Sequence, residues 1–432
     1  MMESTSLDLQ AIAEQALQQM LAQGFDDAQV QASHVVQDEL NLQHNEASLL
    51  RSTEAAKLSL HGILDGRMAH CELASCSPEA LCERVAALFA DACQAPQDEA
   101  NAVSSGQQAH IVQGPQQADL DLLARKVAEL LAFREHETPK MQLDDTAARH
   151  LLQRSHLLTS QGSRLACSLG WYALEVAGTA RDGSRCSSYN AAGGATDGLD
   201  GRHVADCFGI GEMMRETERQ IHTRALGGKF MGDVVLAPTA VADLLDWLLG
   251  QLGDTQLIGG TSLYRHSERQ AIASPLLTLK SRFQAPGVAP LSADGFISPP
   301  VELLSAGTLE ILTPSLYGSR KTGLPHVPLA AAGGWEIAAG TTPRSQLLEG
   351  LSRGALVGRL SMGNPAPNGD FSAVIKNSFA VEGGTVGAAL SEAMIAGNFA
   401  QMLRDVAAVS QERLDTGRLL LPWLRIAGVH YS

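Results

Sequence analysis

The chain has 432 residues, 45% of them hydrophobic, 18% charged and only 4% aromatic, with a formal net charge of −15 and a pI near 5.3. That balance suits a globular protein long enough for two or three domains, with a core built mostly from Leu, Val, Ala and Ile. The acidic field repels phosphate backbones and argues against nucleic acid as a partner.

The absence of any run of about 18 apolar residues argues against a membrane partner or span. The opening MMESTSLDLQ has no basic or apolar leader region. Cysteines stand at 71, 76, 82, 93, 167, 186 and 207, none in a C-x-x-C. Free thiols in a reducing cytoplasm are expected rather than disulfides or a zinc knuckle.

In chain order, residues 7–23 carry apolar side chains at helical spacing and end at Gly24. Residues 28–34, 39–46, 49–53 and 57–64 read as strand, and Asp65-Gly66 as a hairpin turn into 67–73. Ser77 then opens a helix with Leu81, Val85, Leu88, Phe89 and Ala92 on one face. Residues 1–95 thus form an N-terminal α+β unit. Residues 96–118 read as a linker or loop, within a 94–117 stretch expected to be cut first by proteases. Residues 119–230 complete the N-terminal domain, with helices expected over 119–134, 144–158 and 203–226 and strands between. From 231 to 432 the pattern is β-rich, mostly antiparallel and sheet- or barrel-like. Its helices are expected at 239–252 (capped by Thr239), 345–353 and 399–410. The fold class expected is therefore α+β.

Several stretches in the C-terminal half carry more than pattern. Gly369-Asp370-Phe371-Ser372, Val381-Glu382-Gly383-Gly384 and Ile395-Ala396-Gly397-Asn398 follow one another in that order. Before them come Gly259-Gly260-Thr261-Ser262-Leu263-Tyr264-Arg265, the segment LTPSLYGSRKTG over 312–323, which holds Arg320, and Gly333-Gly334. The chain closes with LLPWLRIAG over 420–428. Together these resemble the signature of the TldD/TldE (PmbA) family, on the TldE side. The resemblance implies a subunit of a metalloprotease that degrades or processes unfolded peptides, and it carries the family's older label as a modulator of DNA gyrase. It also implies a partner, either a TldD-like chain or a second copy. Gly260, Tyr264, Arg265, Arg320, Gly369, Asp370, Ser372 and Asn398 become the residues expected to contact peptide or partner.

In TldD-type relatives one helix carries HExxxH, whose histidines hold zinc and whose glutamate activates the bound water. Aligned on its flanks, that motif falls on Asp246, Trp247 and Gln251 here. No metal or other cofactor is expected in this chain, and zinc is expected in a TldD-like partner. The histidines are scattered: His136, His150, His156, His266 and His326 read as structural or solvated. There is no G-x-S-x-G, no phosphate loop and no strand–GxGxxG–helix unit. The alternative is a self-sufficient peptidase with an unrecognised site, or a homodimeric regulatory protein.

Overall fold

A computed structural model describes residues 7–74 and 77–432; Ser75, Cys76 and the first six residues of the chain lie outside them. Among the described residues the strands form two sheets, one of nine and one of fourteen, and eight α-helices pack against them. The chain is α+β, as its sequence pattern predicts. No described helix is long and apolar enough to cross a membrane. The six described cysteines are free thiols, and burial pushes Cys167 up to about 11.

The first sheet runs in the order Arg67–Leu73, Glu46–Leu64, Asp27–Gln43, Thr146–Thr159, Arg164–Asp182, Gln108–Gln113. Neighbours are antiparallel except the last pair, which is parallel. The helices Leu9–Gln23 and Pro78–Gln94 cover one part of it. Their starts are set by side chains: Asp8 accepts the Ala11 N–H at 3.0 Å and Ser77 the Ala80 N–H at 3.3 Å. Ala13, Ala16 and Met20 of one helix and Leu81, Val85 and Leu88 of the other close over Val30, Leu58 and Leu60. The helices Leu120–Glu137 and Ile210–Arg219 bury a second cluster against Leu42, Leu174 and Val176.

The second sheet is built around Leu419–Tyr431, which pairs with Phe230–Leu236, Val406–Asp415, Met394–Asn398 and Trp335–Ile337. Most of its pairs are antiparallel; three are parallel. Gly383 and Gly384, at φ of 56° and 76°, turn Phe379–Glu382 into Thr385–Ser391 as a tight hairpin. Pro238–Leu252 buries Val241, Leu244, Leu245, Leu248 and Leu252 in the largest hydrophobic cluster.

Six expectations are corrected. Residues 144–158 are not a helix but the strand Thr146–Thr159, paired on both sides. Their Ala, Leu, Gln and Arg favour a helix, and two flanking strands override that preference. Residues 203–226 are broken by Phe208 and Gly209, both at positive φ, and only Ile210–Arg219 is α-helical. The 94–117 stretch contains the strand Gln108–Gln113. The helices expected at 345–353 and 399–410 shrink to a 3-10 turn, Arg344–Leu348, and the short Phe399–Arg404. The Pro238–Leu252 helix starts one residue before Thr239, with Ala237 in the cap position and the proline in its first turn.

Candidate functional site

Pro238–Leu252 turns its apolar stripe inward and leaves Asp243 and Asp246 on the side of a groove of about 420 Å³. Trp247, Gln251 and the segment 362–367 complete the groove. Trp247 is only 8% exposed. Its ring meets Tyr264 and Phe399 edge-on, with centroids 6.2 and 6.0 Å away, and its Nε1 donates to the Ala366 carbonyl at 3.4 Å. Gln251 is buried and spends both ends of its carboxamide: Nε2 donates to the Pro367 carbonyl at 3.0 Å and Oε1 accepts the Leu263 N–H at 2.9 Å. The side chain thus ties two loops to the end of the helix.

A catalytic zinc needs about three donors and an open position. At this helix the indole offers no lone pair, the amide is committed to backbone, and only the carboxyls of Asp243 and Asp246 face the groove. Burial, then the neighbouring Asp246, pushes Asp243 up to about 6, and burial raises Asp246 as well. These residues do not fit zinc. Among the described residues no three His, Cys, Asp or Glu side chains converge as a metal-ligand group.

Of the residues singled out in the sequence, Asp246, Trp247 and Gln251 line the groove, and Tyr264 and Gly369 lie against Trp247. Gly369, at φ 91°, lies where a Cβ would come within 3.1 Å of both Trp247 and Asn398. Asn398 donates to Asp370 at 2.9 Å and to the Asn368 carbonyl at 2.8 Å, and its oxygen caps the following helix through the Gln401 N–H. Hydrogen bonds from Asn398 and Asn368 hold the exposed Asp370 carboxyl below the usual carboxylate range. Tyr264 is buried with its hydroxyl unpartnered, and burial pushes it up to about 12. Arg265 donates to the Leu257 carbonyl at 2.7 Å, Gly260 is an exposed turn residue at φ 67°, and Ser372 is exposed on the strand opposite Ala396. Arg320 does not join them. It lies on Leu316–Thr322 and donates to the Asn101 carbonyl of the N-terminal half at 3.3 Å.

A larger cavity of about 590 Å³ opens between the two sheets, with Ala237, Pro238 and Thr239 in its wall. Arg344 grips Glu212 across it, one contact measuring 2.9 Å, and stacks on Trp423 at 4.0 Å. Arg149 pairs with Glu175 at 2.9 Å and with Glu39 at 3.0 Å. Glu216, one turn after Glu212, faces the cavity, and burial, reinforced by Glu212, pushes it up to about 7.

Residues 228–432 match the profile of the PmbA/TldA metallopeptidase C-terminal domain. Over that stretch the chain is similar to the PmbA/TldD family. It is 28% identical over 242 residues to the metalloprotease PmbA of Escherichia coli O157:H7, a match covering 52% of this chain and 50% of that protein. The matched stretch therefore spans half the length of the curated relative. Two crystal structures share the fold over 98% of this chain. One, a candidate modulator of DNA gyrase from Bacteroides thetaiotaomicron, superposes with a TM-score of 0.85 at 18% identity and is covered over 98% of its length. The other, TldE from Thermococcus kodakarensis, gives 0.81 at 19% identity with all of its length covered.

Within this PmbA/TldD-type fold, the reading from sequence missed the cavity residues entirely. Glu212 and Glu216 are four apart on a helix and look like an ordinary solvated pair, and Arg344 sits in a stretch expected to border a helix. Nothing local marks them as partners across two sheets. Asp243 carried a weak signal, being an acid on an otherwise apolar helix one turn before Asp246.

Proposed function

We propose that this chain is the PmbA/TldE-like subunit of a TldD/TldE-type peptidase, gripping an extended, unfolded peptide while a TldD-like partner supplies the zinc and performs the hydrolysis. One observation carries the reading. At the helix where HExxxH would fall, Trp247 and Gln251 are buried and hydrogen-bonded to the backbone of the surrounding loops. A side chain so committed holds the groove's shape and is not free to bind a metal. The resemblance to TldE, in both sequence signature and fold, supports the partner assignment.

The gripping role has a physical basis in the first sheet. Glu46–Leu64 pairs with Arg67–Leu73 only from Leu58 onward. Among the described residues, positions 46–57 have a strand neighbour on one side alone, so their outer backbone groups can pair with an extended peptide by strand addition. Main-chain hydrogen bonding of that kind reads no particular side chain, which suits unfolded substrates.

The test is hydrolysis of a disordered peptide by this chain, by a TldD-like chain, and by the two mixed, with zinc measured in each. The expected result is no stoichiometric zinc and no cleavage by this chain alone, and cleavage by the mixture. Chelator-sensitive cleavage by this chain alone would overturn the reading.

A further inference from the structure

We propose that the cavity between the two sheets binds a primary ammonium group carried on an apolar body, with Glu216 as its counter-ion. The volume of about 590 Å³ lies in the range of small-ligand sites. Its walls are largely apolar, with Leu174, Met213, Phe379, Leu421 and Trp423 among them. The charged groups around those walls are unequally committed. Arg149 is held by Glu39 and Glu175, and Arg344 by Glu212 and the face of Trp423. Arg359 lies close enough to Asp243 to lower its proton affinity, though its Nε has no hydrogen-bond partner. The Glu216 carboxyl, by contrast, has no ion pair and no side-chain hydrogen bond among the described residues.

A second acceptor stands in the same wall. Asn377 is 6% exposed, and its Oδ1 has no partner. Its Nδ2 donates to Asn190 Oδ1 at 2.6 Å, and Asn190 in turn donates to Thr217, the residue after Glu216, at 3.0 Å. Two acceptors are left without partners in this wall against one donor, Arg359 Nε, and that surplus of acceptors favours a ligand that donates. An ammonium matches the carboxylate in charge, and the apolar walls take the body that carries it. Glu216 is already poised to exchange its proton near neutrality.

The inference rests on the peptide-gripping role proposed above. Hydrolysis by the mixed chains tests that role, whereas binding to this chain alone tests the cavity. A peptide offers such an ammonium either at its amino terminus or on a lysine. Isothermal titration calorimetry of the full chain near neutral pH, with leucyl-leucinamide, acetyl-leucyl-lysinamide and acetyl-leucyl-leucinamide, separates these sources. At least one of the two charged peptides is expected to bind about tenfold more tightly than the uncharged one, and the tighter of the two identifies the source. Glu216→Gln is expected to erase the preference while leaving the apolar peptide's affinity unchanged. Equal binding of all three, binding of none, or a preference that survives Glu216→Gln would overturn the proposal. Should Glu216→Gln not fold, the ranking of the three peptides on the unmodified chain still decides.

Discussion

Glu216 and Trp247 show how single residues here depend on their surroundings. In the folded chain Glu216 holds its proton up to about pH 7, against an ordinary value of 4.5. The native state therefore binds more protons than the unfolded one between those values, and stability falls as pH rises through that window. The penalty is fully present above the folded value and absent below the unfolded one. Glu216→Gln removes it and is expected to raise stability by about 1–3 kcal/mol at about pH 8, with little change at about pH 4. Thermal melts of both proteins at the two pH values check this; equal gains at both would refute the assignment. Rebuilding HExxxH with Asp246→His, Trp247→Glu and Gln251→His is expected to destabilise by about 3–5 kcal/mol, because it removes a buried indole and two loop-tying hydrogen bonds. Chemical denaturation gives the loss directly, and an unchanged midpoint would mean that Trp247 does not pack as described.

Elements were legible where their signal is local and not where it is supplied by neighbours. The Leu9–Gln23 helix announced itself by periodicity and its Gly24 stop, and the hairpin into Arg67–Leu73 by Asp65-Gly66. Thr146–Thr159 looked helical because Ala, Leu, Gln and Arg suit a helix, and only its two flanking strands make it a strand. The 94–117 stretch looked like an exposed linker. In the fold, Arg67 holds the Ala95 carbonyl at 2.8 Å, Asn101 holds that of Gly66 at 2.9 Å, and Ser104 is fully buried with its carbonyl bonded to Thr159 at 2.7 Å. Limited proteolysis is therefore expected to cut first in the exposed, singly paired 46–57 edge, for example after Arg51, and only later in 94–117. Mass spectrometry of the earliest fragments distinguishes the two orders.

The two sheets of the whole molecule are joined by particular side chains. Arg344 reaches Glu212, Asn377 reaches Asn190, and Asp98 holds Tyr317 at 2.8 Å and Lys321 at 2.9 Å. The backbone-hydrogen-bonded Ala100 and the Lys321 and Tyr317 contacts hold the Asp98 carboxyl at about 2, so this anchor stays charged across ordinary conditions. If the chain works as a PmbA/TldE-type subunit, it is expected to form a dimer, with itself or with a TldD-like chain. Light scattering on the chain alone and on the mixture tests this, and a monomer in both would remove the assembly from the proposal.

By itself the sequence determined the α+β class, the β-rich C-terminal half, the family resemblance and the identity of Asp246, Trp247 and Gln251 on the helix where HExxxH is expected to fall. Those properties are written in local pattern and residue identity, which no distant contact alters. Tertiary structure alone decided that Trp247 and Gln251 are buried, that Asp370 and Asn398 meet beside them while Arg320 lies elsewhere, and that Glu216 faces a cavity without an ion-pair partner among the described residues. Each of these depends on which strands lie beside one another and on how much water the packing of two sheets removes, and residues far apart in the chain carry no local mark of either.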